Sequence, residues 1–254
     1  MLYGTVEQSW DWHGTNVYTN TCGNGLPVVM LHSLGGLSNH WQFVLPALAR
    51  AGYQATTIDL PGHGDSGLPK TELTPHWMGE ALARSLARPS VLVGSSLGGW
   101  VALQAYLARP NQVRGICLIA SSGLEGMPLR PARLSLRPGK SDLETMLLEA
   151  VFYNPRALTP SVRRDFWRGA FAPALLRLIP QGILSAAQLE QVRCPVLIVW
   201  GAEDKILPLE WAATFANHLP QAKTVVIERC GHLPQLECPD ALIQELLAFV
   251  GIFR

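Results

Sequence analysis

Ser90-Val91-Leu92-Val93-Gly94-Ser95-Ser96-Leu97-Gly98 sets an apolar run directly against a Gly-x-Ser-x-Gly pentapeptide, and a helix-compatible segment continues from Leu97 to Ala108 until Pro110 stops it. Together these residues read as a buried strand, a sharp turn and a helix. A serine held on so tight a turn has its hydroxyl pushed clear of the backbone, and small residues two before and two after it let strand and helix approach closely. Gly94 and Gly98 occupy those positions, which makes Ser96 the candidate nucleophile. Gly and Ser are common residues, so the pentapeptide gains its meaning from the strand and helix that flank it.

Outward from this turn, short apolar runs alternate with amphipathic segments. Val28 to His32, Gln54 to Asp59, Gly115 to Ala120, Pro195 to Trp200 and Thr224 to Ile227 read as strands. Trp41 to Ala51, His76 to Ala87, Glu210 to His218 and Asp240 to Val250 read as helices. Strands apolar on both faces and separated by helices predict an α/β fold, with a mostly parallel central sheet covered on both sides. Thr15 to Thr19, with its mixed pattern, is expected to add an antiparallel edge.

The alternation stops between Gly123 and Glu190, where Leu143 to Val151, Ser161 to Ala170 and Ala174 to Ile183 read as short helices separated by prolines. The expected organisation is an α/β core formed by residues 1–122 and 191–254, with residues 123–190 inserted as a helical cap. A cap at this place would cover the C-terminal strand ends, where open α/β sheets bind ligands. The Pro- and Arg-containing stretch Met127 to Lys140 is expected to be a hinge into the cap or part of a lid.

With 254 residues, 48% of them hydrophobic, the chain is long enough to bury one large core without staples. Twenty basic and nineteen acidic side chains leave a net charge of +1, which excludes a global field for nucleic acid or an anionic membrane and points to a small-molecule partner. The five cysteines, an odd number without paired spacing, read as buried reduced thiols. Met1 to Gly14 lacks an apolar signal-peptide core and no run is long enough to span a bilayer, so a cytoplasmic protein without integral membrane association is expected. Oligomeric state leaves no trace in the composition.

A serine hydroxyl is a poor nucleophile near neutral pH. It needs a base, and the base needs a third group that fixes its tautomer and stabilises its protonated form. Trp200-Gly201-Ala202-Glu203-Asp204 places Asp204 in the loop after one expected strand, and Gly231-His232 places a histidine in the loop after the next. Both loops leave the same edge of a parallel sheet as the serine turn, in the chain order Ser96, Asp204, His232. Glu203 competes for the acid role, and Asp204 is preferred because a shorter side chain at the second loop position should reach inward. Acyl transfer also needs preorganised N–H donors for the developing oxyanion. The backbone N–H of Leu97 is one candidate, and that of Leu34, in His32-Ser33-Leu34-Gly35-Gly36, is the other.

At this point the sequence resembles the α/β-hydrolase superfamily over nearly its whole length. The resemblance rests on His32 to Gly36, Asp59-Leu60-Pro61-Gly62-His63-Gly64-Asp65-Ser66-Gly67, Gly94 to Gly99, Gly201 to Asp204 and Gly231-His232. It is closest to the capped single-domain branch that includes carboxylesterases, meta-cleavage-product carbon–carbon hydrolases, thioesterases, cofactor-free haloperoxidase-like enzymes and pheophytinase-like proteins. Family members commonly have His-Gly where this chain has His32-Ser33; the added hydroxyl is either a third oxyanion donor or a fit to the local turn, the latter preferred. Relatives such as haloalkane dehalogenases and most epoxide hydrolases carry aspartate at the nucleophile position, so Ser96 argues against both.

Gly62 to Gly67 formally matches a dinucleotide fingerprint, but Leu68-Pro69-Lys70 does not open the helix that phosphate binding requires. There is no Walker A sequence, and His13, His40, His63, His76 and His218 are too scattered for a zinc site, so neither cofactor nor metal is expected. Candidate pocket residues are Ser33, Trp100, Phe152, Trp167 and Phe171; the cap aromatics have the alternative role of filling the core of the cap, since an amphipathic helix must bury one face in any case. Arg163, Arg164 and Arg168 suit a carboxylate-bearing substrate or a solvated basic face, the latter preferred. The reading is a serine hydrolase acting on a small to medium carboxylic ester. Alternatives on the same fold are a carbon–carbon or thioester hydrolase with the same three residues, and a ligand receptor or non-hydrolytic biosynthetic protein.

Overall fold

The computed structural model describes residues 4–127 and 143–254. In chain order, β1 (Val6–Trp12), β2 (Thr15–Cys22), β3 (Leu26–Leu31), α1 (Val44–Arg50), β4 (Tyr53–Ile58), α2 (Pro75–Ser85), β5 (Ser90–Ser95), α3 (Leu97–Ala108) and β6 (Val113–Ile119) form the first half. Then follow α4 (Leu143–Val151), α5 (Pro160–Gly169), α6 (Ala174–Arg177) and α7 (Ala186–Leu189). The chain returns to the sheet with β7 (Val196–Gly201), α8 (Glu210–His218), β8 (Ala222–Ile227), α9 (Pro234–Glu237) and α10 (Pro239–Gly251).

The eight strands form one sheet in the order β1-β2-β4-β3-β5-β6-β7-β8, antiparallel through β1, β2 and β4 and parallel from there on. Alternate residues of the central strands supply two cores. Val29, Leu31, Leu92, Leu118 and Ile198 face the side covered by α2, α3 and α8, while Val28, Met30, Val93, Cys117 and Val199 face α1 and α10. Burying one such aliphatic side chain contributes about 1.5–3 kcal/mol, so the doubly covered strands are the most stabilised part of the sheet. Because β3, β5, β7 and β8 run parallel, the loops after all four open at one edge.

Several expectations need correction. Thr15 to Thr19 is not the edge: β2 is longer and lies between β4 and an additional strand, β1. β1 is almost wholly exposed, so it carries no apolar run to betray it, and a two-residue turn at His13-Gly14, both at positive φ, folds it onto β2. The helix expected over Trp41 to Ala51 divides into a 3₁₀ turn at Ser38–Trp41 and the shorter α1. The helix expected over Ala174 to Ile183 stops at Arg177. Pro180 and Gly182, the latter at φ 80°, break it, and the extended chain beyond forms isolated bridges from Leu178 to Leu73 and from Leu184 to Leu124. Of the expected hinge or lid, residues 128–140 lie outside the described residues.

All five cysteines are free thiols, four of them buried. Among the described residues, no helix is long and apolar enough to cross a membrane.

Candidate active site

Ser96 sits between β5 and α3 at φ 52° and ψ −110°. A non-glycine residue held there stores roughly 1–3 kcal/mol of strain. Neighbouring backbone overdetermines the turn: the Ser96 N–H donates to Ile119 at 2.9 Å, and its carbonyl accepts from Gly99 at 3.0 Å and Ser122 at 3.2 Å. A Cβ on Gly98 would run into the Leu31 carbonyl, and one on Gly94 would meet the backbone of Gly98, so neither position admits a side chain. The N–H groups of Leu97 and Leu34 enter no hydrogen bond among the described residues, and that of Leu97 lies in the first turn of the twelve-residue α3, where the helix dipole favours negative charge.

Asp204 and His232 meet after β7 and β8. His232 Nδ1 lies 2.7 Å from Asp204 Oδ2, with both side chains buried. Because an ionised carboxylate only accepts, Nδ1 carries the proton and Nε2 is left as an acceptor. The other carboxylate oxygen, Oδ1, accepts from the N–H groups of Ile206 and Leu207 at 2.8 and 2.9 Å, which fixes the carboxylate plane. Glu203 turns elsewhere: its Oε2 accepts from the Cys230 N–H at 2.8 Å, joining the two loops at their base. Among the described residues, no hydrogen bond joins Ser96 to His232. The link between their loops is instead Gln235 Nε2, three residues beyond the histidine, donating to Ser95 Oγ at 3.1 Å.

The loop after β3 is clamped by two neutral histidines. The Leu60 N–H donates to His32 Nε2 at 2.9 Å, so His32 Nδ1 donates to the Ser33 carbonyl at 2.7 Å. The Gly35 N–H donates to His63 Nε2 at 3.1 Å, while His63 Nδ1 faces the carbonyls of Leu60 and Pro61. Their rings meet edge to face at 4.7 Å. Burial holds His63 down to about 4 and, together with the neighbouring His63, pushes His32 well below the ordinary imidazole range. Asp59 completes the clamp by accepting from the Ser38 and Asp65 N–H groups at 2.6 and 2.9 Å. The Gly62 to Gly67 motif is thus a brace for the loop that carries Leu34.

Ser96, Leu97 and Leu34 line a cavity of about 360 Å³. Trp100 and Ser122 line it as well, and the remaining lining is Leu175, Leu178 and Pro180 from the helical segment with Ile206 and Leu207 from the loop after β7. No charged side chain stands among these residues. Trp100 also donates from Nε1 to the Gly182 carbonyl at 2.8 Å, and Gln104 Nε2 donates to the same oxygen at 2.5 Å, so the extended chain that supplies Leu178 and Pro180 is strapped to α3.

The other four candidate pocket residues do not line this cavity. Ser33 is buried with its carbonyl capping the turn, accepting from Gly36 at 2.8 Å. Phe152 lies in a separate cluster with Leu148, Leu158, Val162, Leu233 and Leu236. Trp167 packs against Phe166 and Phe171, and Phe171 itself is 80% exposed. An apolar helix face has to be buried somewhere, and here the partner is α9 or a neighbouring aromatic rather than the cavity. Sequence reasoning carried Asp59 and His63 without a structural role for either, weighed Glu203 only as a rival to Asp204, and passed over Gln235. The signal for the first two was present in Asp59 to Gly67, where polar residues recur in a turn-rich run; Gln235 leaves none. Among the described residues, no three His, Cys, Asp or Glu side chains are grouped to hold a metal ion.

A sequence profile described as the Alpha/beta hydrolase family matches residues 28–245. The chain is 30% identical over 255 residues to a pimeloyl-[acyl-carrier protein] methyl ester esterase of Nitrosomonas europaea, covering 90% of this chain and 97% of that protein. It is 28% identical over 265 residues to a 2-hydroxy-6-oxo-6-phenylhexa-2,4-dienoate hydrolase of Burkholderia cepacia, covering 92% and 91%. It is 29% identical over 89% of its length to the dihydrolipoyllysine-residue acetyltransferase component of the acetoin cleaving system of Pseudomonas putida, and spans only 64% of that longer protein. Among solved structures, a bacterial membrane phospholipase A superposes with a TM-score of 0.81 at 25% identity, over 98% of this chain and 86% of that one.

Proposed function

This chain belongs to the Alpha/beta hydrolase family, and from that premise we propose that it is a serine hydrolase cleaving a small to medium carboxylic ester through an acyl-enzyme. The observation that carries the reading is the buried 2.7 Å hydrogen bond from His232 Nδ1 to Asp204 Oδ2, which leaves Nε2 as a base on the sheet edge where the strained turn presents Ser96. Ser96 Oγ attacks the ester carbonyl as His232 Nε2 takes its proton. The N–H groups of Leu34 and Leu97 hold the oxyanion, and His232 then delivers the proton to the departing alcohol. Water follows the same route in reverse against the acyl-enzyme, with Asp204 supporting the imidazolium in both halves. In this reading residues 123–190 act as the cap, since Leu175, Leu178 and Pro180 supply part of the cavity lining.

The lining supports an uncharged acyl group. At roughly 30 Å³ per small non-hydrogen group, a cavity of about 360 Å³ accommodates an acyl chain of medium length. Likeness to a dienoate hydrolase supports a second reading, cleavage of a carbon–carbon bond by the same three residues. The ester is preferred because no cationic side chain among the described residues lining the cavity would meet such a substrate's carboxylate.

The test compares wild type with Ser96→Ala by intact-protein mass after a fluorophosphonate, and by turnover of p-nitrophenyl esters beside a vinylogous diketo acid. A single adduct absent from the variant, with ester turnover lost, supports the proposal. Ester turnover retained by Ser96→Ala overturns the mechanism, and a preference for the diketo acid selects the second reading.

A further inference from the structure

The loop carrying His232 is fastened to the helical segment as well as to the sheet, and one side chain gathers that connection. Glu237, at the end of α9, accepts three backbone N–H groups: Gly231 at 2.7 Å and Tyr153 at 3.1 Å on Oε2, and Asn154 at 2.6 Å on Oε1. The first belongs to the residue before the histidine and the other two to the turn that follows α4. The His232 N–H itself donates to the carbonyl of Val151, the last residue of α4, at 2.8 Å. The contact is backbone on backbone: a Cβ on Gly231 would lie 2.9 Å from the Tyr153 nitrogen and 3.0 Å from the Phe152 Cα. Beneath it, Phe152 and Leu148 pack with Leu233 and Leu236 of the histidine loop and α9.

We propose that Glu237 is a positioning residue for the reaction proposed above, its carboxylate tying the His232 loop to the turn after α4 so that the seat of the helical segment sets the placement of the base. The geometry argues for placement rather than for proton transfer. Glu237 reaches no side chain of the Ser96, Asp204 and His232 set, and all three of its acceptor contacts go to main-chain nitrogens. A carboxylate shared among three N–H groups on two separate stretches of chain fixes their relative position, and charge-assisted bonds of this kind are about twice as strong as neutral ones. Asp204 fixes the histidine's tautomer from the sheet side; Glu237 fixes the loop's position from the helical side. The two contributions are separable, because Asp204 acts on the ring and Glu237 on the backbone at Gly231. A substrate that shifts the turn at Tyr153-Asn154 would on this account also shift His232.

The experiment is steady-state kinetics on a p-nitrophenyl ester for wild type, Ser96→Ala, Glu237→Ala and Glu237→Gln, with thermal unfolding of each and the rate of fluorophosphonate labelling of Ser96. A misplaced base lowers kcat and labelling rate together, by about 10- to 100-fold, with KM within about twofold. Glu237→Gln, which keeps one carbonyl oxygen as acceptor and is the variant best able to fold, is expected to recover part of both rates. A folded Glu237→Ala or Glu237→Gln with wild-type kcat and labelling, beside an inert Ser96→Ala, overturns this inference alone. A change confined to KM or to the unfolding temperature overturns it as well. Full turnover by Ser96→Ala instead removes the mechanism on which the inference rests.

Discussion

The Gly35 N–H ends on His63 Nε2 at 3.1 Å, which turns that donor away from the cavity that its neighbour Leu34 lines. In the proposed reaction, a histidine nearly thirty residues along the chain would therefore determine which N–H of the loop is available to the oxyanion. It can do so only while neutral, because protonated Nε2 would present a second donor to the same N–H.

His63→Ala is accordingly expected to lower kcat by about tenfold or more while KM changes little, because the loop that presents Leu34 loses its brace. Stability should fall by roughly 1–3 kcal/mol, the cost of leaving the Gly35 N–H without a partner. Kinetics and urea unfolding of the same preparation separate the two effects, and an unchanged kcat would remove His63 from the oxyanion account.

Acid should destabilise the fold before it protonates most carboxylates. Burial holds His63 and His40 at about 4 and pushes His32 well below the ordinary imidazole range, whereas an unfolded chain protonates each near 6.5. Between those values the unfolded state binds more protons, so stability falls as pH drops, by up to ~1.4 kcal/mol per pH unit for each histidine. Asp59 opposes this in the lower part of the window, since burial raises its carboxyl and the native state takes up that proton first. Urea midpoints measured from pH 7.5 to 4.5 should decline throughout; a flat profile would mean that the buried rings take up protons in the folded protein as readily as in the unfolded chain.

Asp204 and Glu203 should separate cleanly. Asp204→Asn removes the carboxylate that orients His232 and is expected to reduce ester turnover by about 10³–10⁴-fold. Glu203→Gln leaves the His232 contact intact and weakens only the bond to the Cys230 N–H, so turnover should stay within about tenfold of wild type. The reverse ranking of the two variants would reassign the acid.

How far these features were legible depends on what each one needs. Central strands announce themselves by doubly apolar runs, and the Ser96 turn by small residues at fixed offsets. β1 escaped because its exposed face carries no period, and its pairing with β2 is set by the positive-φ turn at His13-Gly14. Pro180 and Gly182 were readable breakers in a segment otherwise apolar enough to pass as helix. Phe152 and Phe171 show the harder limit. Which apolar side chain meets the cavity, a neighbouring helix or solvent is a tertiary outcome that helix periodicity does not encode.

The cavity walls give the most direct handle on substrate choice. Leu175 lines the cavity yet is 44% exposed, so it stands at the rim and enlarging it costs little packing. Leu178, deeper on the same wall, is held by the bridge to Leu73 and by a chain strapped through Gly182 to Trp100, so the wall cannot retreat to make room. Leu175→Trp should therefore exclude long acyl chains selectively. The ratio of kcat/KM for p-nitrophenyl octanoate to that for the acetate is expected to fall by about tenfold, within the 1–3 kcal/mol that one methylene group commonly commands in an apolar pocket. Acetate turnover should hold near wild type, because Ser96 and its donors are untouched. A fall shared equally by both esters would place the acyl chain elsewhere and make this wall the seat of the leaving alcohol.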